Sequence, residues 1–396
     1  MLEIDVMQLI AQGEGTKTEF KRDDVRPEAL AKEITALANV HGGIILLGVE
    51  DDGQISGITK GNLQEWLMDA VIGQYTHPIN LPDYDEVRID EKTVAVVTVH
   101  EGMGKPYVVR QNNREDIYMR MGSTCQLATR EQTARLFDRG GLLATDKLPV
   151  PGSSLHDLDI YRVKDYFSSI YDEDPDEATL VDWLTGRDLM CPLVGNDVCT
   201  IAGLVLFGKR PSRRLPQASI RMAVYNADDK VLNATMDKDL SAPFVGSREL
   251  ENYATPSTPE QVVELLQPHI SKEVMKGMNR IRQWDYPKNV IRELVINAFA
   301  HRDWTRNTDT EISVYNDRME IISSGALPNG MTIEKLKGGQ RVPRNNNIIN
   351  VLRDYGLMEH QGMGIRRIVI PTMRKHNNTE PEFEATEDLV KVTLRK

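Results

Sequence analysis

Two sets of residues in this 396-residue chain have the types and spacing to do chemistry. Glu293 and Asn297 stand four positions apart in segment 287–303, PKNVIRELVINAFAHRD. Val290, Ile291, Leu294, Val295, Ala298 and Phe299 recur there at helical spacing. Positions i and i+4 then project from one face. A carboxylate so placed can polarise an attacking water, and an amide oxygen beside it can ligate Mg²⁺ held by phosphates. An exposed polar helix face is the alternative reading. The second set is Glu14 and Glu19 in segment 13–21, GEGTKTEFK, with Asp51 and Asp52 following an apolar run further on. Carboxylates that converge repel unless a cation joins them. Such an oxygen-rich site suits Mg²⁺ or Mn²⁺, and the metal can align a phosphodiester and activate water. Lys17 and Lys21 lie alongside as phosphate contacts. Solvated surface acids are the alternative here.

The elements that must position these residues are partly legible. Pro27 opens a helix with Leu30, Ile34 and Leu37 on one face and Gly42 as its stop. Segment 43–49, GIILLGV, is an apolar run bounded by Gly and by Asp51-Asp52-Gly53, so a buried strand ending in a turn. Segment 62–75 reads as a helix, 94–99 as a strand, 107–120 as a hairpin around Asn112-Asn113, and 129–137 as a short helix. Further on, 158–189 is mainly helical, while 202–207 and 219–225 read as strands. Pro287 suits the first turn of the helix carrying Glu293. After a strand at 318–322 come a glycine-containing turn at 323–330, SSGALPNG, and a polar run at 338–345. Gln361-Gly362-Met363-Gly364 then opens a helix over 365–376. Glycines let backbone approach a phosphate, and a helix N-terminus offers it free N–H groups.

Composition bounds the class. There are 48 Lys+Arg against 59 Asp+Glu, a net charge of −11, with 40% apolar and 27% charged residues. That is ordinary for a globular protein with real cores. No stretch approaches the ~18 apolar residues of a membrane helix, and no signal peptide is read at the N-terminus. Cys125, Cys191 and Cys199 show no zinc spacing, so a cytoplasmic setting is expected. Residues 1–125 carry 12 basic and 21 acidic side chains, net −9, whereas 291–396 carry 16 and 14, net +2. A general nucleic-acid binder is usually basic, so bulk charge weighs mildly against that role.

The ordered blocks carry resemblances. Glu14…Glu19-Phe20-Lys21, the helix ending at Gly42-Gly43, the strand through Asp51, and 118–124, YMRMGST, before Ala128-Thr129 resemble the Schlafen Alba-like domain over about 10–135. The resemblance implies nucleic acid, DNA or RNA, as partner. In nuclease members two Glu and one Asp hold metal and cut RNA. Carried over by motif, these are Glu14, Glu19 and Asp51. Many bacterial relatives are instead labelled DNA-binding. Lys17, Lys21, Arg22 and Arg120, with Lys105, Arg110 and Arg114, are the cations expected near a groove. Over about 286–396, the Glu293/Asn297 helix and the glycine turns behind it resemble the GHKL ATPases, and more closely the divergent RecG-like branch fused to Schlafen domains. This implies Glu293 as general base, Asn297 as Mg²⁺ ligand, Gly362 and Gly364 in the phosphate lid, and Gly325 lining ATP. Arg341 and Arg344 are further candidates for phosphate. The family's Asp-x-Gly-x-Gly is absent; Ser323-Ser324-Gly325 stands there, which weakens the expectation of adenine selectivity.

Two other motifs are set aside. Gly203…Gly208-Lys209 has P-loop spacing, but Arg210 stands where Ser or Thr must hold Mg²⁺. Segment 348–364 could pass for a winged helix-turn-helix, which would leave the Glu293/Asn297 helix unexplained. His301-Arg302-Asp303 reads as a structural cluster at a helix end. The expected fold class is α+β and multidomain. It comprises an Alba-like Schlafen domain over 1–140, a linker over 141–155, a mixed connecting domain over 156–285 and a GHKL-type α/β sandwich over 286–396. The expected function is an ATP-hydrolysing protein acting on nucleic acid, with ATP controlling a metal-dependent N-terminal site, a nuclease in an anti-phage setting. The alternative is an ATP-responsive, DNA-binding transcriptional regulator without cleavage. A homo-oligomer and no membrane association are expected.

Overall fold

In a computed structural model of the chain, all residues are described except 1, 173, 174, 177, 248–255, 277, 278, 329, 341 and 359–362. The chain divides into two units, Met1–Leu143 and Ala144–Lys396.

The first unit begins with α1 (Glu3–Gln12), β1 (Thr18–Lys21), α2 (Pro27–Asn39) and β2 (Gly43–Leu47). Next come α3 (Leu63–Trp66), which runs on to Gly73, β3 (Thr76–His77), β4 (Asp83–Ile89) and β5 (Lys92–Val99). It closes with β6 (Val108–Gln111), β7 (Arg114–Met121), β8 (Thr124–Leu127) and α4 (Arg130–Arg139). One sheet has the order β1-β2-β5-β4, with β1 and β2 parallel and the other pairs antiparallel. The strand period of two splits its side chains between two cores. Ile45, Leu47, Ala95 and Val97 join Leu30, Ile34 and Leu37 of α2. Leu46, Val94 and Val96 join Val6 of α1. Gly42, at φ +70°, lies so close to β5 that a Cβ there would stand 2.5 Å from the Val99 carbonyl oxygen. A second sheet has the order β3-β6-β7-β8. Its hairpin turns on Asn112 and Asn113, both at positive φ, as a two-residue hairpin requires. The fully buried Asn39 ties α2 to this sheet. Its amide donates to the Tyr107 and Tyr118 carbonyls at 2.8 and 2.9 Å, and its oxygen accepts from the Tyr107 N–H at 2.7 Å.

The second unit opens with α5 (Ile160–Tyr171), α6 (Leu180–Gly186), the antiparallel pair β9 (Met190–Leu193) and β10 (Asn196–Cys199), and α7 (Ile201–Phe207). It continues through β11 (Ile220–Val224), β12 (Met236–Leu240), α8 (Thr258–Ile270), β13 (Ser271–Lys276), β14 (Asn279–Trp284) and α9 (Lys288–Ala300). Then follow β15 (Thr310–Val314), β16 (Arg318–Ser324), α10 (Ile333–Lys337), α11 (Asn346–Asp354), α12 (Ile370–Asn377), β17 (Glu382–Ala385) and β18 (Leu389–Arg395). Six strands form one sheet, β12-β11-β15-β16-β18-β17, in which β11 and β15 are parallel. β11 and β12 thus complete a sheet whose other strands come from beyond residue 300. One continuous core runs from Val150 through Val290, Ile291 and Leu294 to Leu394.

The strand expected at 202–207 is instead the helix α7. Thr200 caps it, its hydroxyl accepting from the Gly203 N–H at 3.1 Å. All seven residues of α7 are buried. A helix enclosed on every side has no polar face, so its apolar run cannot be told from a buried strand by pattern. Gly203 is needed for contact: a Cβ there would lie 2.0 Å from the Leu189 carbonyl oxygen.

Candidate functional site

The helix α9 brings Glu293 and Asn297 together as their spacing requires. The Asn297 amide donates to Glu293 Oε1 and to the Glu293 carbonyl, each at 2.7 Å. With its N–H₂ turned back on Glu293, the group of Asn297 with the chemistry to ligate a metal is its amide oxygen. Both side chains line a cavity in the second unit with Ser323, Gly325, Gln340, Arg353 and Gly364. The rest of its lining is mainly apolar, from Leu327, Pro328, Met331, Val342, Met358 and Phe383 among others. An apolar slot ending in a few polar groups is the ordinary form of a small-molecule site. Carboxylate and amide oxygens also suit Mg²⁺, so the donor set fits a metal–nucleotide ligand.

Two glycines shape this cavity. Gly364 lies against the Glu293 carboxylate, where a Cβ would come 1.7 Å from Oε1. Gly325, at φ +104°, follows β16, and a Cβ there would stand 2.5 Å from Asp303 Cβ and 3.1 Å from Arg344 Nη1. Ser323 anchors the turn, its hydroxyl donating to the Ala298 carbonyl at 2.8 Å. Gly362, the other expected lid glycine, lies outside the described residues, as does Arg341.

Asp303 is the residue that sequence reasoning undervalued. It is 3% exposed and packs on the turn where the missing aspartate motif was sought. Burial opposes its ionisation, yet Arg344 and the Thr305 hydroxyl and N–H hold its carboxyl below the usual range. The signal was its place at the end of α9, but only the fold sets that end beside Gly325. Arg344 is buried in this cluster, its guanidinium donating to the Ala326 carbonyl at 3.4 Å. Expected to contact phosphate, it packs against the turn at Gly325, which lines the cavity. His301 does line the cavity.

The N-terminal set behaves differently. Glu19 on β1 is 3% exposed. Arg120 Nη1 lies 2.5 Å from Glu19 Oε2 and 2.8 Å from Glu33 Oε2. Lys21 contacts Glu19 Oε1 and stands 4.0 Å from Glu14. Glu14 accepts the Phe20 N–H at 2.9 Å. The remaining guanidinium nitrogens of Arg120 donate to the Gly15 and Thr18 carbonyls. Burial and the nearby Glu19 charge push the Glu33 carboxyl up, although Arg120 opposes them. Burial would lower the Lys21 ammonium, but hydrogen bonding to Glu19 and the surrounding carboxylates raise it overall. Glu14 and Glu19 thus converge on fixed side-chain cations.

Asp51 is exposed on the turn after β2 and lines an open depression with Lys21, Arg22, Glu50, Asp52 and Lys92. No group of three or more acidic, His or Cys side chains is placed to hold a metal among the described residues. The residues expected as metal ligands, Glu14, Glu19 and Asp51, therefore do not fit a metal as they stand. Arg120, expected at a groove, is a buried structural cation instead. Lys17 and Arg22 are exposed, as a backbone contact requires.

Comparison with known proteins follows the same division. Residues 14–129 match the family model described as "Schlafen, AlbA_2". Residues 307–394 match the one described as "Putative ATP-dependent DNA helicase recG C-terminal". The two matches fall in separate parts of the chain, consistent with a two-domain fusion, and the fold is α+β and multidomain. No curated protein matches it. Among solved structures, the DIP2311 protein from Corynebacterium diphtheriae is similar at 19% identity and TM-score 0.46, covering 100% of this chain and 80% of that one. The N-terminal domain of a "Putative ATP-dependent DNA Helicase RecG-related Protein" from Nitrosomonas europaea is similar at 22% identity and TM-score 0.24, covering 31% of this chain and 92% of that one. No helix among the described residues is long and apolar enough to cross a membrane.

Proposed function

We propose that this protein binds and hydrolyses ATP, and that its ATP state sets how it holds nucleic acid. The observation that carries the reading is the cavity in which the Glu293–Asn297 pair meets the Ser323–Gly325 turn and Gly364. The RecG-like and Schlafen AlbA_2 matches support the two halves of the statement. Asn297 would hold the divalent ion, with Mg²⁺ the expected one, and the bound ion would neutralise phosphate charge. Glu293 accepts a proton from an attacking water, and the Asn297 amide holds the carboxylate in place for it. The apolar walls take the base and exclude water from it. Gly364 leaves the carboxylate room that any side chain would fill.

In the N-terminal unit the reading is binding, through Lys17 and Arg22, and not metal-dependent cleavage. The observation that favours this is the engagement of Glu19 by Arg120 and Lys21. The division into an N-terminal nucleic-acid domain, a linker near 141–155 and an ATP-binding domain completed by the connecting segment belongs to the same proposal. A cytoplasmic setting accords with three free cysteines. By its GHKL resemblance the chain is expected to form a homo-oligomer.

The test is the affinity of the full chain for fluorescent DNA and RNA, with and without Mg²⁺-ATP. ATP should shift the wild-type dissociation constant several-fold and leave that of Asn297→Ala unchanged. A coupling of this size corresponds to roughly 1–3 kcal/mol. Equal affinities with and without ATP would remove the control, and metal-dependent cleavage lost in Glu19→Gln would restore the nuclease reading.

A further inference from the structure

Within the second unit, β13 and β14 form a two-stranded antiparallel ribbon that joins no other sheet among the described residues. Residues 279–283 are all exposed, as are Lys272, Glu273 and Met275. An isolated hairpin is marginally stable in water, so its hold on the molecule is at its base. There the Asp285 N–H donates to the Ile270 carbonyl at 2.8 Å, joining the ribbon to the end of α8. At the end of α12, His376 Nε2 lies 2.8 Å from the Trp284 carbonyl, and the Asn377 amide donates to the Asp285 carbonyl at 2.8 Å. Tyr286 is fully buried, and α9 starts two residues later. The ribbon therefore leaves α8 and leads into α9, which carries Glu293 and Asn297, and its base is hydrogen-bonded to the end of α12, the helix that follows Gly364.

Its charge runs against that of the chain. Segment 271–284 holds Lys272, Lys276, Arg280 and Arg282 against Glu273, net +3 in a protein of net −11. The register pairs Glu273 with Arg282 and Met275 with Arg280, so both arginines share one face. Lys272, paired with Gln283, faces the other way. Glu273 lies 3.2 Å from Arg282 and 3.8 Å from Arg280. Such exposed pairs contribute little and are readily exchanged for phosphate.

Strands of this length span roughly 20 Å at about 3.4 Å per residue. The DNA major groove, about 12 Å wide, admits a two-stranded ribbon. Cations on both faces match the phosphates on both walls of a groove. Two such ribbons laid together would set like charges opposite each other, which is unfavourable.

We propose that the β13–β14 ribbon is a nucleic-acid contact of the C-terminal unit, gripping duplex backbone phosphates through Lys272, Arg280 and Arg282. The inference rests on the reading of the chain as a nucleic-acid protein and adds a site outside the Schlafen AlbA_2 region.

The test compares the full wild-type chain with K272Q/R280Q/R282Q and with E273Q. The probe is a fluorescent DNA duplex, titrated by anisotropy between about 50 and 200 mM salt. Mg²⁺-ATP binding and the thermal midpoint of each variant check that the exposed changes leave the fold intact. The triple variant should bind at least about tenfold more weakly at the lowest salt, and its slope of log K against log salt should fall by about 0.9 per lost phosphate contact, about 2 to 3 in all. E273Q should bind more tightly than wild type. If wild type binds the duplex and the triple variant matches it in affinity and slope, the ribbon assignment is wrong while the broader reading stands. A triple variant of smaller mass by light scattering, with duplex binding unchanged, would make the ribbon a contact between copies and overturn the assignment. If wild type binds no nucleic acid at any salt, the broader reading fails first.

Discussion

Glu19 in the N-terminal unit and Glu293 in the C-terminal unit are both carboxylates that their sequence context marks as candidates for chemistry, and their surroundings differ in kind. Glu19 is buried against Arg120 and Lys21. Glu293 opens onto a cavity with apolar walls, steadied by the Asn297 amide and approached closely by Gly364. The first arrangement neutralises charge inside the fold. The second leaves a carboxylate where a ligand can reach it. A buried charge that has been paired is costly to disturb and rarely does chemistry, because its partner must first be displaced. The comparison teaches that converging acids identify a site only once the cations around them are known.

Substitutions can break or sharpen this contrast. The largest effect is expected at Glu293→Ala. Loss of a general base should lower ATP turnover by about 10²–10⁴-fold while leaving nucleotide binding in place, as measured by steady-state hydrolysis beside calorimetric binding. Arg120→Ala should act on stability instead. Removing one partner of a buried pair costs about 3–5 kcal/mol, so hydrogen exchange should rise across residues 1–143 while ATP turnover is retained. If Arg120→Ala leaves stability unchanged and abolishes nucleic-acid binding, the contrast drawn here is wrong. Gly325→Ala forces a Cβ onto Asp303 at positive φ and should cost about 1–3 kcal/mol, read as a lowered unfolding midpoint.

The smallest effect is one of pH. The Asp303 carboxyl is held below its ordinary value in the folded state. Its contribution to stability is complete above the unfolded value of about 3.9 and is lost as pH falls through the lower folded value. Asp303→Asn should remove that part of the acid loss, measured by urea unfolding at stepped pH. An unaltered acid profile would mean that Arg344 and Thr305 do not hold the carboxyl low.

The features legible in the sequence are local. The helix from Pro27, the strand after Gly42, the turn at Asn112-Asn113 and the helix from Pro287 each have a short-range cause in periodicity, a proline or a positive-φ residue. The Glu293–Asn297 contact also follows from helix geometry alone. The failures were of long range. Arg120 reads as a groove cation until β7 places it among Glu19, Glu33 and two carbonyls contributed by residues about a hundred positions earlier. Asp303 reads as a helix-end polar residue until β16 brings Gly325 against it. α7 was misread because total enclosure erases the helical period. The β13–β14 ribbon lacks a clean alternation, since both of its faces meet solvent and neither must be apolar.

The central claim is that the Glu293–Asn297 cavity takes a metal–nucleotide ligand. Calorimetric titration of Mg²⁺-ATP into the full wild-type chain, beside Gly364→Val, addresses it most directly. The account predicts saturable, Mg²⁺-dependent binding to wild type with a raised thermal midpoint, and loss of both in Gly364→Val, whose side chain would occupy the space beside the carboxylate. No heat and no thermal shift for wild type at saturating Mg²⁺-ATP, or undiminished binding by Gly364→Val, would contradict it.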